Sequence, residues 1–438
     1  MTKRIAVIGL AESGIGAIKL LLRQKCYIFI YDDNSQKLKE TAREYNLPVL
    51  SGGDIGALTL AVVSPGVRDD STIMCALKRC KVKIISELEL GYRFLKSDMI
   101  AVTGTNGKTS TTTLITKLLN NAAIDATAVG NIGVSLSLTA LELTEKEVAV
   151  VEASSFQLDK TEKFRPHIAV LLNITPDHLD RHGDMKGYIA AKSKIFENCG
   201  RSDYAVINGD DAHALFATEK ILCKKYHFSV IKDVENGAYI KDGKVFFAEG
   251  GESIEICKAS NLGNTHSDNA LATICVCGIL RIPFSIALKT LQRFSPASYT
   301  VEKIYEKDNL KIFNDSKGTN TAATMSAINL MVGETVLIMG GREKGEDYTD
   351  FFRLSKDKIS RYIFFGENAA KLKVIAEACG VPSFTLCSEL KEAFFEATQA
   401  VFQGNILFSP ACASFDQFSD YKARGEAFNQ IVLDFYEK

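Results

Sequence analysis

The first part of the chain alternates short apolar runs with amphipathic stretches. The apolar runs, rich in β-branched or aromatic residues, are Arg4–Ile8, Tyr27–Tyr31 and Leu60–Val63. Helical patterns separate them, which predicts parallel strands joined by helices. In open α/β sheets, ligands bind at the carboxyl ends of the strands. We therefore expect a small ligand-binding domain at residues 1–94.

Residues 95–297 are predicted to form a central domain. Its apolar runs are uninterrupted, as is typical of parallel strands covered on both faces. They are Met99–Val102, Val148–Val151, Ile168–Leu172 and Tyr204–Ile207. Between residues 236 and 256, short alternating runs surround the pairs Asp242-Gly243 and Gly250-Gly251, a pattern that predicts hairpins attached to this sheet.

The remaining residues, 298–438, are predicted to form a third domain. Four further apolar runs predict its strands: Leu310–Phe313, Thr335–Met339, Arg361–Phe365 and Ile406–Phe408. A typical size of about 150 residues per domain also gives three domains for 438 residues. We expect an α/β protein with Rossmann-like first and third domains and a parallel-sheet central domain.

Composition and charge favour a small-molecule substrate. The 52 basic and 53 acidic residues give a formal net charge of −1, without a block of like charges. We therefore expect no nucleic-acid partner and no membrane partner. Eleven cysteines include no CxxC pair, and Cys275 and Cys277 lie in an apolar helical stretch, which indicates buried thiols in a reducing compartment. The N-terminal apolar run already ends at Gly9, so we expect a soluble, cytoplasmic protein, and we expect a monomer.

The octapeptide TGTNGKTS, Thr103–Ser110, follows the run ending at Val102 and opens a helix predicted at Thr111–Leu119. This placement between strand and helix is that of a phosphate-binding loop, so the central domain is expected to be of the P-loop ATPase type. Lys108 can reach the outer phosphates of a nucleoside triphosphate and the Thr109 hydroxyl can ligate Mg²⁺. Val102 stands where the full Walker pattern has its first glycine, which points away from ordinary GTPases. The predicted triphosphate-binding residues are Gly104, Thr105, Asn106, Gly107, Lys108, Thr109 and Ser110.

Three strand ends of the first domain carry candidate nucleotide-binding residues. GLAESGIG, Gly9–Gly16, resembles a dinucleotide fingerprint, but Ala11 replaces its second glycine, which disfavours a nicotinamide dehydrogenase. The second strand ends in Asp32 and Asp33, which can accept hydrogen bonds from hydroxyls or a base, and the third ends in SPGV, Ser64–Val67. We expect a nucleotide diphosphate across these three strand ends.

Two more residues are predicted at the same sheet edge as Lys108. Glu152 ends one strand in EASSFQLD, and His178 follows the next in NITPDHLDRH. The carboxylate can hold the Mg²⁺ shared with Thr109, and the imidazole can ligate a second ion. Lys192, in the helical stretch YIAAKSKIF, becomes an anionic metal ligand if its amine takes up CO₂ as a carbamate. A solvated or capping role is the alternative for each residue taken singly.

Eight motifs occur in order along the chain. They are TGTNGKTS, GNIG (Gly130–Gly133), EASSFQL, NITPDHLDRH, YIAAK, NDSKGTN (Asn314–Asn320), GGREKGEDY (Gly340–Tyr348) and SPACASFDQF (Ser409–Phe418). Together they resemble the Mur ligases, amide-bond ligases of peptidoglycan precursor synthesis. The last motif, the SPGV turn and the chain length are most similar to the branch that adds D-glutamate. The resemblance implies that ATP phosphorylates the carboxylate of UDP-N-acetylmuramoyl-L-alanine, and that the amine of D-glutamate then attacks the acyl phosphate.

The resemblance also implies roles for individual residues. Thr109 and Glu152 would hold the first of two Mg²⁺ ions, and His178 and a carbamylated Lys192 the second. The implied catalytic residues are Lys108, Asn131, His178 and Lys192. Further ATP contacts would come from Asn269, Asp315 and Lys317. The UDP substrate would be held by Ser13, Gly14, Asp32, Gly66 and Asn131, and D-glutamate by Thr319, Lys344, Ser414 and Tyr421. The third domain would close over the site.

Two positions depart from the family pattern. Thr265 and His266 precede Asn269 where the family usually has His-Asn, and Thr300 stands where it usually has an arginine near ATP. A missing guanidinium weakens ATP binding by roughly 1–3 kcal/mol if nothing replaces it. The alternatives are a sister ligase for another amino acid, a folylpolyglutamate-type enzyme, and a non-catalytic paralogue that only binds nucleotide.

Overall fold

The protein, described here by a computed structural model over residues 3–263, 265–295 and 298–436, contains three β-sheets flanked by helices. Contacts between Cα atoms divide the chain into two compact units. The first comprises Met1–Ile174 and Leu179–Phe294 and holds two sheets; the second comprises Thr175–His178 and Ser295–Lys438 and holds the third.

The first sheet has four parallel strands in the order β2-β1-β3-β4. The strands are β1 (Arg4–Ile8), β2 (Tyr27–Tyr31), β3 (Leu60–Val63) and β4 (Ile84–Ser86), and the helices are α1 (Glu12–Arg23), α2 (Ser35–Tyr45), α3 (Thr72–Arg79) and α4 (Glu87–Tyr92). Because all four strands run the same way, the residues after β1, β2 and β3 share one edge of the sheet.

The second sheet has nine strands in the order β13-β12-β11-β10-β9-β8-β5-β7-β6. The strands are β5 (Asp98–Thr103), β6 (Ala126–Gly130), β7 (Val148–Glu152), β8 (Ile168–Leu171), β9 (Tyr204–Asn208), β10 (Lys224–Ser229), β11 (Gly237–Lys241), β12 (Lys244–Glu249) and β13 (Glu252–Lys258). Strands β5 to β11 pair in parallel, and β11, β12 and β13 form antiparallel hairpins. The hairpins predicted between residues 236 and 256 are therefore confirmed.

Eight helices accompany this sheet: α5 (Lys108–Asn121), α6 (Leu136–Thr139), α7 (Ser155–Asp159), α8 (Leu179–His182), α9 (Met185–Ser193), α10 (Ala212–Ala217), α11 (Ser267–Ile279) and α12 (Phe284–Gln292). Helix α11 packs against α5, α12 and strands β9 to β11, so most of its residues are buried. Cys275 and Cys277 are fully buried in this helix, as the sequence predicts.

The third sheet has six strands in the order β14-β15-β19-β16-β17-β18. Its strands are β14 (Glu302–Lys307), β15 (Leu310–Asn314), β16 (Thr335–Gly340), β17 (Arg361–Phe365), β18 (Phe384–Cys387) and β19 (Gly404–Phe408). Its helices are α13 (Thr321–Ile328), α14 (Thr349–Ser355), α15 (Ala369–Ala378), α16 (Leu390–Ala400) and α17 (Tyr421–Tyr436). All strand pairs are parallel except β14 with β15, so three motif-bearing loops follow adjacent strands at one edge.

The predicted strands are confirmed, with ends that shift by one or two residues. The phosphate-loop helix begins at Lys108 rather than at Thr111, because Gly107 already occupies the N-cap position. The sequence did not predict β4, β6, β10, β14 or β18, which are short or carry polar residues. The three sheets lie within residues 1–94, 95–297 and 298–438; the boundaries themselves stay predictions, and residues 296–297 at the last one lie outside the described residues.

No helix in the described parts of the chain combines the length and apolar character needed to cross a membrane.

Candidate active site

The phosphate loop of the first unit connects β5 to α5. The Lys108 ammonium group donates hydrogen bonds to the carbonyl oxygens of Gly104, at 2.9 Å, and Thr105, at 2.8 Å. The lysine therefore lies over its own loop, at the start of a helix whose first N–H groups and dipole favour an anion. An arriving phosphate can take over the ammonium group from these two carbonyls.

Gly107 lets the loop turn into the helix next to Asn269. Its φ of +85° is a conformation that L side chains rarely adopt, and a Cβ here would lie 2.4 Å from Oδ1 of Asn269. Asn269 lies in the first turn of α11 and is only 4% exposed. The fold thus brings this predicted ATP residue to the phosphate loop from 162 residues further along the chain.

Asn173, just after β8, fixes the shape of the loop. Its carbonyl accepts from the Thr105 N–H at 2.9 Å, its Oδ1 accepts from the Asn106 N–H at 2.8 Å, and its Nδ2 donates to the Asn106 carbonyl at 3.1 Å. Asn173 is not among the site residues predicted from the sequence. Its position as the first polar residue after an apolar run, at the head of NITPDHLDRH, is the signal that could have found it.

Glu152 and Asn131 lie together at the same edge, at the ends of the adjacent strands β7 and β6. Asn131 Nδ2 donates to Oε1 of Glu152 at 2.7 Å. Glu152 is 2% exposed, and its Oε2 has no hydrogen-bond partner among the residues that the structure describes. A buried carboxylate oxygen of this kind is costly unless a cation or donor binds it, so the donor set fits Mg²⁺.

Lys192 reaches the same loop from α9. It is 1% exposed, its ammonium group donates to the Gly104 carbonyl at 2.7 Å, and it lies 4.6 Å from the ring centroid of Tyr188. The Tyr188 hydroxyl lies 3.2 Å from Oγ1 of Thr105. Lys192 is therefore a buried part of the loop environment and not a solvated surface lysine. No cluster of three or more His, Cys, Asp or Glu side chains suited to a metal occurs among the described residues.

The three strand ends of the first sheet form a compact turn region. Ser13 Oγ donates to Oγ of Ser64 at 3.1 Å, and Ser64 Oγ donates to the Gly9 carbonyl at 2.8 Å. A Cβ on Gly14 would lie 2.0 Å from that carbonyl, so only glycine allows α1 to approach β1 this closely. Asp32 accepts from the Leu10 N–H at 2.6 Å through Oδ2.

Arg181, in α8, extends from the central sheet to the SPGV turn. Its guanidinium group donates to the carbonyls of Pro65, at 3.4 Å, and Val67, at 3.1 Å, and lies 4.6 Å from the ring centroid of Phe156. A Cβ added to Gly66, in the same turn, would meet nothing within 4 Å, so this side of the turn is open to a ligand. Arg181 lies inside NITPDHLDRH but is not among the site residues predicted from the sequence.

In the second unit, two of the predicted D-glutamate residues are neighbours. The Lys344 ammonium group donates to Oγ1 of Thr319 at 3.4 Å and lies 3.5 Å from Oδ1 of Asp177. His178 belongs to this unit, and its Nε2 lies 3.6 Å from Oδ2 of Asp177. These contacts hold the amine of Lys344 between the Thr319 hydroxyl and the Asp177 carboxylate.

Ser414 lies close to the loop of Lys344. The Arg342 N–H donates to the Ala413 carbonyl at 2.8 Å, and the Ala413 N–H donates back at 3.1 Å. This pair of bonds joins GGREKGEDY to SPACASFDQF, and Ser414 beside it is 2% exposed. Glu346, in the first of these motifs, has its pKa raised to about 7 by burial.

Asp315, Ser316 and Arg424 form a buried polar network beneath these loops. Asp315 Oδ2 accepts from Ser409 Oγ at 2.6 Å, and burial raises the pKa of Asp315 to about 7. Arg424 is fully buried and donates to Ser316 Oγ at 3.1 Å, the Ser316 carbonyl at 2.8 Å and the Cys412 carbonyl at 3.1 Å. Burial also lowers the pKa of its guanidinium to about 10.

The same network holds two other predicted residues. The Ser316 hydroxyl donates to the carbonyl of Tyr421 at 2.8 Å, which fixes the start of α17. The Lys317 N–H donates to the Tyr299 carbonyl at 3.0 Å, so NDSKGTN is tied to the segment that enters the third sheet. Arg424 and Ser409 were not selected from the sequence; both lie in or just after SPACASFDQF.

Thr300 and His266, at the two positions that depart from the family pattern, are both in buried environments. Thr300 Oγ1 is buried and has no hydrogen-bond partner among the described residues, and its neighbours Tyr299 and Val301 have φ angles of 64° and 44°. His266 is the N-cap residue of α11, and burial lowers its pKa. Nearby, burial together with Asp210 and Asp211 raises the pKa of Asp268 to about 6.

Comparison with known proteins decides the family. The chain is 34% identical to the UDP-N-acetylmuramoylalanine–D-glutamate ligase of Thermoanaerobacter pseudethanolicus over 446 residues, covering 99% of this chain and 98% of the relative. It is 36% identical to the ligase of the same name from Caldanaerobacter subterraneus, with 99% and 98% covered. The chain belongs to the UDP-N-acetylmuramoylalanine–D-glutamate ligase family. The Bacillus cereus member of this ligase family is 35% identical, with 98% and 97% covered.

The central part of this ligase also matches the Mur ligase middle domain, over residues 102–277. Among solved structures, a pseudomurein peptide ligase type C from Methanothermus fervidus has a TM-score of 0.62 at 15% identity, covering 99% of this chain and 100% of that chain. A MurF ligase from Thermotoga maritima in complex with ADP has a TM-score of 0.60 at 15% identity, covering 99% and 96%. These structures share the fold. The resemblance to Mur ligases predicted from eight motifs is confirmed.

Proposed function

We propose that this protein joins D-glutamate to UDP-N-acetylmuramoyl-L-alanine in an ATP-dependent step of peptidoglycan precursor synthesis. ATP phosphorylates the substrate carboxylate, and the amine of D-glutamate displaces phosphate from the acyl phosphate to give the amide, ADP and phosphate. Membership of the D-glutamate ligase family carries this proposal. The phosphate loop at one sheet edge, beside a buried carboxylate with a free oxygen, supports it chemically.

Lys108 provides positive charge for phosphoryl transfer. Its ammonium group now lies on the carbonyls of Gly104 and Thr105, within reach of any phosphate bound at the start of α5. Phosphoryl transfer depends on in-line positioning and on neutralising charge on the transferred group. A positioned cation of this kind contributes on the order of 10²–10³ in rate.

Mg²⁺ would be held by Thr109, at the start of α5, and by the free Oε2 of Glu152, and would neutralise phosphate charge when bound. Asn131 keeps the other oxygen of Glu152 in place through its 2.7 Å hydrogen bond. The role of Asn131 in orienting the acyl phosphate is part of the same proposal.

We further propose that Lys192 is carbamylated in the active enzyme and, with His178, holds a second ion. A carbamate nitrogen keeps one N–H, so the hydrogen bond to the Gly104 carbonyl is compatible with the modification. Enzyme prepared with ¹³C-bicarbonate should show a bound carbamate signal that is absent in Lys192→Ala. A Lys192→Ala enzyme with undiminished activity would contradict the metal-ligand role.

For the amino-acid substrate, the proposal assigns Lys344, Thr319, Ser414 and Tyr421 to D-glutamate and its carboxylates. Support comes from the hydrogen bond between Lys344 and Thr319 and from the pairing of the two motif-bearing loops. The UDP part is assigned to Ser13, Gly14, Asp32 and Gly66, with Asp315 and Lys317 near ATP. A monomeric, cytoplasmic enzyme remains part of the proposal.

The deciding experiment measures phosphate release from ATP with Mg²⁺, UDP-N-acetylmuramoyl-L-alanine and, in turn, D-Glu, L-Glu, L-Lys and L-Ala, with mass detection of the product. Release that depends on D-Glu, with the matching amide, is expected, and Thr300 is then a tolerated variation. ATP binding without phosphate release in any of these mixtures would contradict the proposal and favour a degenerate paralogue.

A further inference from the structure

A cavity of about 700 Å³ lies at the opposite end of the central strands from the phosphate loop. Asp98 at the start of β5, His167 just before β8 and Asp203 just before β9 all line it. Strand β5 has six residues, so at ~3.3 Å per residue the cavity is roughly 17 Å from the phosphate loop along this strand. The cavity is therefore separate from the candidate active site, and its volume is that of small-molecule sites.

Cationic side chains dominate the lining. Lys3, Arg93, Lys163 and Arg165 face two carboxylates, those of Asp98 and Asp203. Arg165 is paired with Asp203 at 2.8 Å, and Arg93 is paired with Glu89 at 2.8 Å and with Glu162 at 2.7 Å. Lys3 and Lys163 have no carboxylate partner among the residues that the structure describes. Two ammonium groups thus remain for a ligand.

Ser97 gives an independent indication of a ligand. It lines the same cavity and is 9% exposed, and its buried hydroxyl has no hydrogen-bond partner in the described parts of the chain. A buried hydroxyl without a partner is unfavourable, and native proteins usually satisfy such groups. Since a hydroxyl donates readily to an anionic oxygen, an anion in the cavity would satisfy Ser97 and the two lysines together.

We propose that this cavity binds a small organic polyanion carrying phosphoryl or carboxylate groups, through Lys3, Lys163 and the Ser97 hydroxyl. The guanidinium of Arg165 adds donors, since its bonds to Asp203 and Ser202 use only two of its five N–H groups. Arg93 and Ser97 belong to the connection between α4 and β5, so the ligand contacts the segment that joins the first sheet to the central sheet.

Met99 offers a local probe, because it lines the cavity and is one of only seven methionines. Full-length protein labelled with ¹³C at the methionine methyl groups is titrated with inorganic pyrophosphate and, separately, with citrate. Met99→Leu assigns the signal. We expect the Met99 signal to shift saturably with at least one of the two anions. Tighter binding of pyrophosphate would identify a phosphoryl ligand, and tighter binding of citrate a carboxylate ligand.

Matched variants test the named groups. The double variant Lys3→Gln with Lys163→Gln should weaken binding at Met99 at least about tenfold, whereas Lys146→Gln with Lys220→Gln, which removes the same charge from exposed positions elsewhere, should leave it unchanged. Ser97→Ala should weaken binding while leaving the melting temperature unchanged, because its hydroxyl makes no hydrogen bond in the structure. No saturable shift with either anion, or equal affinity in the two double variants, would overturn the proposal.

Discussion

The phosphate-loop edge of the first unit and the motif-bearing edge of the third sheet hold their charged side chains in different ways. At the first edge, Lys108 and Lys192 both donate to main-chain carbonyls of one short loop. At the second, Asp315, Ser316 and Arg424 are buried and each makes a hydrogen bond to a residue 94 to 108 positions away in the chain. The bonds of Lys108 can be exchanged for a ligand, whereas breaking the second set leaves buried polar groups unpaired.

This difference separates two functions of polar residues. A solvent-accessible lysine on a carbonyl loses little when a phosphate replaces the carbonyl. A buried guanidinium with three protein acceptors has no such substitute, so its removal costs folding free energy. We therefore expect substitutions at the first edge to change activity, and substitutions in the buried network of the second to change stability.

The largest effect is expected for Lys108→Met, which keeps the aliphatic stem and removes the charge. Ligation should fall by about 10²–10³-fold or more, while the free energy of unfolding changes by less than about 1 kcal/mol. ADP formation and urea unfolding measure the two quantities. Lys117→Met, on the same helix and beside the Phe294 ring, is the matched control and should keep its activity. A large loss of stability in Lys108→Met would contradict the expectation that substitutions at the phosphate-loop edge change activity and not stability.

Arg424→Met tests the other side of the comparison. The three hydrogen bonds of this buried side chain disappear, so the free energy of unfolding of the third-sheet unit should fall by about 2–4 kcal/mol. Arg353→Met removes an exposed arginine paired with Asp350 at 3.4 Å and should change stability by less than about 1 kcal/mol. Equal stabilities for the two variants would mean that the buried network is dispensable.

Gly107→Ala tests whether the phosphate loop needs a glycine next to Asn269. The new Cβ would lie 2.4 Å from Asn269 Oδ1, so we expect ATP affinity to fall roughly tenfold. Gly243→Ala has a similar φ, +72°, in a hairpin with nothing within 4 Å, and isolates the cost of the backbone conformation. Calorimetric titration with ATP measures the affinities. If both variants bind ATP as tightly as wild type, Asn269 does not constrain the loop.

The pH dependence of stability tests the burial of Asp315. Its pKa is raised by burial to about 7, above the value of about 3.9 in an unfolded chain, so the folded protein binds the proton more readily. The stabilisation from this group is full below about pH 4 and is lost as pH rises through about 7. The unfolding free energy of wild type relative to Asp315→Asn should therefore decrease from about pH 5 to about pH 8. A gap that grows over this range would contradict the direction of the shift.

The two edges also differ in how far the sequence predicts them. The phosphate loop is one continuous octapeptide between an apolar run and a helical pattern, so its residues and chemistry can be predicted locally. The third-sheet edge depends on strand order: β15, β19 and β16 are neighbours in the sheet although β19 lies far along the chain. The motifs of this edge can therefore be recognised in the sequence, but the hydrogen bonds among Asp315, Ser409 and Arg424 cannot be predicted from it.

Residues that act only by hydrogen-bonding to the backbone of a functional loop were the hardest to predict. Asn173 and Arg181 lie in a recognised motif, yet their roles follow from the carbonyls and N–H groups that the fold places beside them. Polar strands such as β10 and β14 were missed because their stability comes from pairing with a neighbouring strand and not from an apolar pattern.

The Gly104 carbonyl oxygen accepts hydrogen bonds from two lysines, one in the phosphate loop and one 88 residues further along the chain. Two ammonium groups on one oxygen repel each other, so a phosphate that draws Lys108 away favours the bond that Lys192 keeps. Thermodynamic reciprocity makes the converse true: a change that loosens Lys192 also alters how readily nucleotide is accepted. One backbone oxygen thus couples the occupancy of the nucleotide site to the state of a lysine on another helix.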